Sequence, residues 1–114
     1  MSTAAAVVID TDILVDHLRG HRRFRAGGRR VAYSVVTRAE LFAGTDQDRA
    51  RELLGTLEEI PVDRAIAELS GNIRKQHGTD VADALIAATA ITLGLPLLTR
   101  NRPHFEGIKG LKLG

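Results

Sequence analysis

The sequence predicts an α/β domain in which a central parallel sheet is flanked by helices. Short apolar segments alternate with segments of helical periodicity, and the connections between them are short, as is typical of parallel sheets. The first apolar segment, Val7 to Ile9, ends directly on a carboxylate, Asp10. In a parallel sheet the carboxyl ends of the strands face the ligand crevice. The length of 114 residues predicts one domain, residues 1–114.

Composition narrows the class of protein. The chain is 44% hydrophobic and 26% charged, which is ordinary for a globular domain. It has no cysteine, which excludes disulfides and thiolate metal sites and fits a cytoplasmic location. The run from Ala4 to Ile9 is too short for a signal peptide and is interpreted as strand. No segment approaches the roughly 20 apolar residues of a membrane span.

Positive charge is concentrated in one part of the sequence. Between His17 and Arg38 lie seven arginines and two histidines, with no Asp or Glu. Such a segment creates a local positive field that suits phosphate contacts, although an arginine run is as often a solvated surface. The candidate RNA contacts are Arg19, Arg22, Arg23, Arg25, Arg29 and Arg30.

Periodicity and capping residues predict the elements of the first half. After the first strand, the spacing of apolar residues predicts a helix up to Gly20. An arginine-rich loop with two glycines follows over residues 21–30, and then a strand over residues 31–36. Thr37 is expected to cap a short helix that ends at Gly44.

In the second half, a leucine stripe predicts a helix from Ala50, and residues 60–62 are expected to be extended. Asp63 should cap the next helix, which Gly78 ends. The helix over residues 81–93 is apolar nearly all round and should be buried against the sheet, ending at Gly94. Strands are expected over residues 95–98 and, last, 111–113.

Four polar residues fall at strand ends or in first helical turns: Asp10, Glu40, Asp83 and Asn101. Three have a local structural explanation. Glu40 could form a capping box with Thr37, Asp83 could be a first-turn acid after an Asp80 cap, and Asn101 could be a turn residue. Asp10 is harder to explain, because an acid directly after a buried strand needs a partner or a metal.

Chemistry gives these residues a common purpose. Carboxylates that hold Mg²⁺ or Mn²⁺ supply the charge neutralisation and activated water that phosphodiester hydrolysis requires. Mg²⁺ retains several waters, so three acids and one amide suffice for one or two ions. His17 and His21 are spaced i, i+4 but lack further ligands for zinc, so we interpret them as part of a solvated basic face.

Five segments together resemble the PIN-domain endoribonucleases, in particular the VapC-type toxins of type II toxin–antitoxin modules. They are VIDTDILVDHLRG from Val8, SVVTRAELFAG from Ser34, IPVDRAIAELSGNIR from Ile60, DALIAATA from Asp83 and LLTRNRPHFEGIKGLKL from Leu97. The resemblance implies a PIN-like fold and a metal site of Asp10, Glu40, Asp83 and Asn101. It also implies Mg²⁺ or Mn²⁺ as cofactor, RNA as substrate, a cognate antitoxin as partner and a homodimer.

Two other interpretations remain open at the level of sequence. Asp10 and Asp12 imitate the nucleophile and acid of a haloacid-dehalogenase-like phosphatase, but Ile13 and Leu14 stand where that family has Gly and Thr. Alternatively, the protein could be a non-catalytic nucleic-acid-binding module whose acids only cap helices. Because the chain has so few aromatic residues, Phe24, Tyr33, Phe42 and Phe105, a base-stacking platform is not expected.

Overall fold

A four-stranded parallel sheet forms the centre of the molecule, as the sequence predicts. The computed structural model describes residues 6–44 and 46–114. In chain order the elements are β1 (Val7–Ile9), α1 (Thr11–Leu18), β2 (Val31–Ser34), α2 (Val35–Gly44), α3 (Gln47–Leu54), β3 (Glu58–Ile60), α4 (Arg64–His77), α5 (Val81–Leu93), β4 (Leu97–Leu98) and α6 (Arg102–Phe105). The strand order is β3-β2-β1-β4, and every pairing is parallel. All carboxyl ends therefore lie along one edge of the sheet.

The alternation of side chains along β1 and β2 divides the core into two layers. Val8 and Ala32 pack with residues of α4 and α5 on one face of the sheet. Val7, Ile9 and Tyr33 pack with α1, α2 and α3 on the other face. Because successive residues of a strand point to opposite faces, five buried residues suffice to anchor helices on both sides. The arrangement is three layers, helix, sheet and helix.

Helix α5 is the most deeply buried helix, as its uniform apolar composition predicts. Six of its residues are buried, and Ile86 has no exposed surface. The caps of the second half are also confirmed: Asp63 accepts the Ile66 N–H and Asp80 accepts the Asp83 N–H, each at 2.8 Å. Gly78 and Gly94 end their helices with positive φ angles of 66° and 67°, a conformation that favours glycine.

The boundary between β2 and α2 differs from the expectation. The strand ends at Ser34 and the helix begins at Val35, so Thr37 lies inside the helix and does not cap it. The predicted strand is too long because Val35 and Val36 are β-branched and favour strands. In the structure, tertiary packing outweighs this local preference, and both residues belong to the helix. Ser34 Oγ accepts the Val36 N–H at 3.2 Å at this junction. Thr37 is fully buried.

Other boundaries also shift. Helix α1 ends at Leu18 instead of Gly20, and α3 begins at Gln47, because Asp46 accepts two backbone N–H groups as its N-cap. The extended segment predicted at residues 60–62 is instead β3, which lies two residues earlier. Pro61 cannot donate to a strand ladder and ends it. The charged residues Glu58 and Glu59 are tolerated because β3 is an edge strand whose acids pair with Arg30 and Arg38.

The C-terminal part is more irregular than predicted. Strand β4 covers only residues 97–98 of the expected four, and the last strand is reduced to a single bridge between Leu97 and Leu113. Helix α6 was not predicted. At the other terminus, Ala4 and Ala5 of the proposed first strand lie outside the described residues, and β1 begins at Val7. No helix in the described part of the chain is long and apolar enough to cross a membrane.

Replacement of Ile86 by Ala should lower the free energy of unfolding by about 2–5 kcal/mol, since it removes three buried carbons from a packed interface. Chemical denaturation monitored by circular dichroism would measure the change. The matched control is Val81→Ala in the same helix, where the side chain is 50% exposed and the change should stay within about 0.5 kcal/mol. Equal effects of the two substitutions would contradict the placement of α5.

Candidate metal centre

Asp10 lies where the sequence predicts, at the carboxyl end of β1 and at the N-cap of α1. Its backbone is extended, with φ −78° and ψ 153°, and its Oδ1 accepts the Thr11 N–H at 2.8 Å. The residue is only 5% exposed. The helix start supplies an N–H donor and a favourable dipole, but neither neutralises a full negative charge.

The segment that follows β4 holds the other oxygen of Asp10. The Thr99 hydroxyl donates to Asp10 Oδ2 at 2.7 Å and accepts the Asn101 N–H at 2.9 Å. Asp12 turns to the same segment, because its Oδ2 accepts the Arg100 N–H at 3.2 Å. Asp12 Oδ1 is buried and has no hydrogen-bond partner among the described residues. An orphaned carboxylate oxygen is costly unless a cation or water satisfies it.

Glu40 joins the group through a pair of threonines. The Thr11 hydroxyl donates to Glu40 Oε1 at 2.6 Å and lies 2.9 Å from the Thr37 hydroxyl. Because Thr11 donates its one proton to Glu40, Thr37 must donate to Thr11. The carboxylate of Glu40 thus contacts a residue that is 29 positions away in the sequence. The capping-box explanation of Thr37 and Glu40 is therefore wrong.

Asp83 and Asn101 meet at a histidine. Asp83 Oδ2 lies 3.3 Å from His104 Nδ1, and Asn101 Nδ2 lies 2.8 Å from the same nitrogen. The nitrogen can accept from the Asn101 amide or, when it carries a proton, donate to Asp83, but not both at once. Asn101 occupies the N-cap position of α6, where its side chain makes no cap hydrogen bond.

The carboxylates are close enough to influence one another. The pKa of Asp10 is raised to about 7, chiefly by burial and to a smaller extent by the charges of Asp12 and Asp83, while the hydrogen bonds from Thr99 and Thr11 oppose the shift. Burial also raises the pKa of Asp83, with added repulsion from Asp80 and Asp12 and an opposing effect of His104. Several acids that share a site and lack a nearby cation produce this pattern.

These residues fit a divalent cation that keeps part of its water shell. Within residues 6–44 and 46–114, no group of three His, Cys, Asp or Glu side chains is placed to hold a metal ion. Mg²⁺ does not need such a group, because it binds through one or two carboxylates and retains waters. The oxygen donors, the orphaned Asp12 Oδ1 and the raised pKa of Asp10 all suit a hard cation.

The predicted arginines separate into three places. Arg22, Arg23, Arg25 and Arg29 line a cleft that also includes Thr99 and Arg100. Arg19 lies in another cleft, beside Thr11 and Glu40. Arg30 lies before β2, at the opposite edge of the sheet, where Nε and Nη2 donate to Glu58 at 2.9 Å and 2.7 Å.

The sequence patterns do not point to four further residues of the site: Thr11, Thr37, Thr99 and His104. Their hydroxyls and imidazole hold the acids, and the contacts span up to 89 residues. Only Thr99 had a local signal, its position directly after a predicted strand. His17 has a structural role instead of a metal one, because its Nδ1 accepts the Phe24 N–H at 3.0 Å.

Comparison with known proteins agrees with this geometry. The PIN domain family matches residues 7–110. Ribonuclease VapC10 of Mycobacterium tuberculosis is 35% identical, over 93% of this chain and 90% of its own length. Ribonuclease VapC1 of Methanocaldococcus jannaschii is 32% identical, over 94% and 85%. A toxin–antitoxin complex from Klebsiella pneumoniae is similar in structure, with a TM-score of 0.80 at 34% identity, over 92% of this chain and 94% of that chain.

The match covers every element that carries the acids, from β1 to α6. It excludes the phosphatase interpretation of Asp10 and Asp12. This chain is a PIN-domain protein and belongs with the VapC ribonucleases.

Proposed function

We propose that this protein is an endoribonuclease that acts in the cytoplasm as the toxin of a toxin–antitoxin pair. The proposal is supported by its membership of a family whose relatives are named ribonucleases and by its similarity to a toxin–antitoxin complex. The observation that carries it is Asp10, a buried carboxylate at the ligand-binding edge of the sheet, with which no Lys or Arg of the described residues forms an ion pair.

Asp10, Asp83 and Glu40 are the proposed ligands of Mg²⁺ or Mn²⁺. When bound, the cation neutralises charge on the phosphodiester and lowers the pKa of the attacking water. VapC nucleases of this family generally depend on divalent metal. Thr99 fixes the Asp10 carboxylate through its hydroxyl, and Thr11 does the same for Glu40.

Glu40 and Asn101 have a second proposed role. Glu40 is exposed and can take the proton of the attacking water if it does not join the ligand set. The Asn101 amide, once released from His104, can orient water or complete a second, weaker ion site. Together with Asp10 and Asp83, these residues form the proposed catalytic set.

Cleavage of RNA by the purified protein tests the function. We expect cutting with Mg²⁺ or Mn²⁺, none with EDTA, and none with the Asp83→Asn variant. Asp48→Asn is the matched control, because Asp48 is 95% exposed on α3 and its loss should leave cutting unchanged. RNA cutting that persists in EDTA would refute the mechanism.

A cognate antitoxin is the proposed partner, and the active toxin is proposed to be a homodimer. An antitoxin that covers the acidic site could place an arginine of its own against the carboxylates, a charge-assisted contact. We expect expression of the chain alone to arrest growth and co-expression with its partner to restore it. If the wild-type chain is expressed alone and the cells contain active ribonuclease, normal growth would contradict the toxin role.

A further inference from the structure

Three clefts border the acidic site, and their charges differ. The cleft beside Glu40 holds a single arginine, Arg19. The cleft beside Asp83 is lined by two aspartates and two histidines. The third, which we call the arginine cleft, has a volume of about 300 Å³ and is lined by five arginines, Arg22, Arg23, Arg25, Arg29 and Arg100, and one aspartate. Only the arginine cleft offers a strongly positive path for a polyanion.

The arginine cleft is held in place by contacts with α1. His17 Nδ1 accepts the Phe24 N–H at 3.0 Å, and the Asp16 carbonyl accepts the His21 N–H at 2.9 Å. The single aspartate of the cleft, Asp16, is neutralised because its carboxylate pairs with Arg100. The loop over residues 21–30 is therefore pinned to the helix. Within the loop, Arg29 donates to the Ala26 carbonyl and Arg30 pairs with Glu58, which leaves Arg22, Arg23 and Arg25 available to a ligand.

Thr99 connects the arginine cleft to the acidic site. It lines the cleft, and its hydroxyl donates to Asp10 at 2.7 Å. If the acidic site holds the phosphate that is cut, a nucleotide seated in the cleft would lie next to it. The cleft thus has the position of a subsite for a nucleotide adjacent to the cut bond.

The floor of the cleft is apolar, which arginines alone do not explain. Phe24, Ile13 and Leu98 line it, and all three are partly buried. Phe24 follows two exposed arginines and precedes a third, so an aromatic ring stands among basic side chains. Aromatic rings beside basic side chains bind unstacked bases of single-stranded RNA, while a duplex keeps its bases inside.

We propose that the arginine cleft binds one unstacked nucleotide of single-stranded RNA, with its base on Phe24 and its flanking phosphates on the arginines. The proposal rests on the proposed function, since it assigns a subsite of the same RNA. It selects the side by which RNA reaches the carboxylates: through the arginine cleft and not through the clefts beside Glu40 or Asp83. It also assigns Phe24 as a residue that favours single strands.

Salt dependence of RNA binding tests the arginines. Fluorescence anisotropy with an oligouridylate would use the Asp83→Asn protein in EDTA, so that the RNA stays intact. Combining Arg22→Gln with Arg25→Gln removes two exposed charges. The slope of log Kobs against log salt is negative, and its magnitude should decrease by about 1.4. The control, Arg64→Gln with Lys75→Gln, removes two exposed charges of α4 and should leave the slope unchanged.

A comparison of RNA with and without bases tests whether a base stacks on Phe24. The same protein should bind the oligouridylate about tenfold more tightly than an abasic ribose-phosphate chain of equal length, and Phe24→Leu should abolish that preference. Phe24→Trp should retain it. Because the readout is a ratio between two RNAs, a general loss of folded protein would not mimic it.

The outcomes separate the two proposals. An unchanged salt slope in the arginine variant, or an undiminished uridylate preference in Phe24→Leu, would overturn the subsite and assign the cleft to another ligand, such as an acidic segment of a protein. Failure of the wild-type protein to cut RNA would instead refute the nuclease function and leave the binding result standing.

Discussion

Asp10→Asn should reduce metal-dependent RNA cleavage by at least about 1000-fold, which corresponds to about 4 kcal/mol of transition-state stabilisation. The substitution keeps the shape of the side chain and an oxygen that can accept the Thr11 N–H. It removes the negative charge that the cation requires. Initial cleavage rates of wild type and variant with saturating Mn²⁺ would measure the loss.

RNA binding by the same variant distinguishes an enzyme from a binding module. Removing a buried negative charge should leave binding by the arginine cleft within about twofold of wild type, because Asp10 contacts no arginine among the described residues. Asp48→Asn again serves as the control for cleavage. A variant that cuts RNA at the wild-type rate would contradict the site and favour the non-catalytic interpretation, in which the acids serve only the fold.

Stability of the metal-free protein should fall as pH rises from about 4 to about 7. The pKa of Asp10 is about 7 in the folded protein and has its ordinary value of 3.8 in the unfolded chain. Between these values the folded state binds the extra proton, so deprotonation favours unfolding. The difference of about three pKa units corresponds to a loss of about 4 kcal/mol across this range. Asp83, whose pKa burial also raises, acts in the same direction.

Urea unfolding in EDTA at about pH 5 and about pH 8 would measure the part of this loss that falls between the two values, about 3 kcal/mol. Asp10→Asn should remove most of the pH dependence and be more stable than wild type at about pH 8. Mn²⁺ should raise the stability of the wild-type protein at about pH 8, since a ligand that binds only the folded state stabilises it. It should have little effect on the stability of the Asp10→Asn variant. A wild-type protein that gains stability with rising pH would refute the description of Asp10.

Much of the site could be predicted because its acids follow local rules. Asp10 comes directly after an apolar strand, and Asp83 follows the Asp80 cap at the start of the most apolar helix. The parallel topology then brings these ends to one edge. Glu40 and Asn101 also fall at strand ends or in first helical turns, and the resemblance to PIN-domain nucleases implies that they belong to the same metal site. The structure places Glu40 beside Thr11 and Asn101 beside His104.

The side chains that hold the acids could not be predicted, because their contacts depend on tertiary structure. Thr99 meets Asp10 across 89 residues, and Thr11 meets Glu40 across 29. The local pattern of Thr37 and Glu40 fits a capping box and predicts a cap at Thr37, yet both side chains turn to Thr11. Likewise, charge density alone grouped Arg30 with the other arginines, whereas its partner Glu58 holds it at the far edge.

Calorimetric titration of Mn²⁺ into the metal-free protein tests the central claim most directly, because it needs neither RNA nor partner. Wild type at about pH 8 should bind Mn²⁺ and release protons as the carboxylates ionise. The Asp10→Asn/Asp83→Asn double variant should show no binding, while Asp48→Asn should match wild type. Equal Mn²⁺ binding by wild type and the double variant would contradict the account.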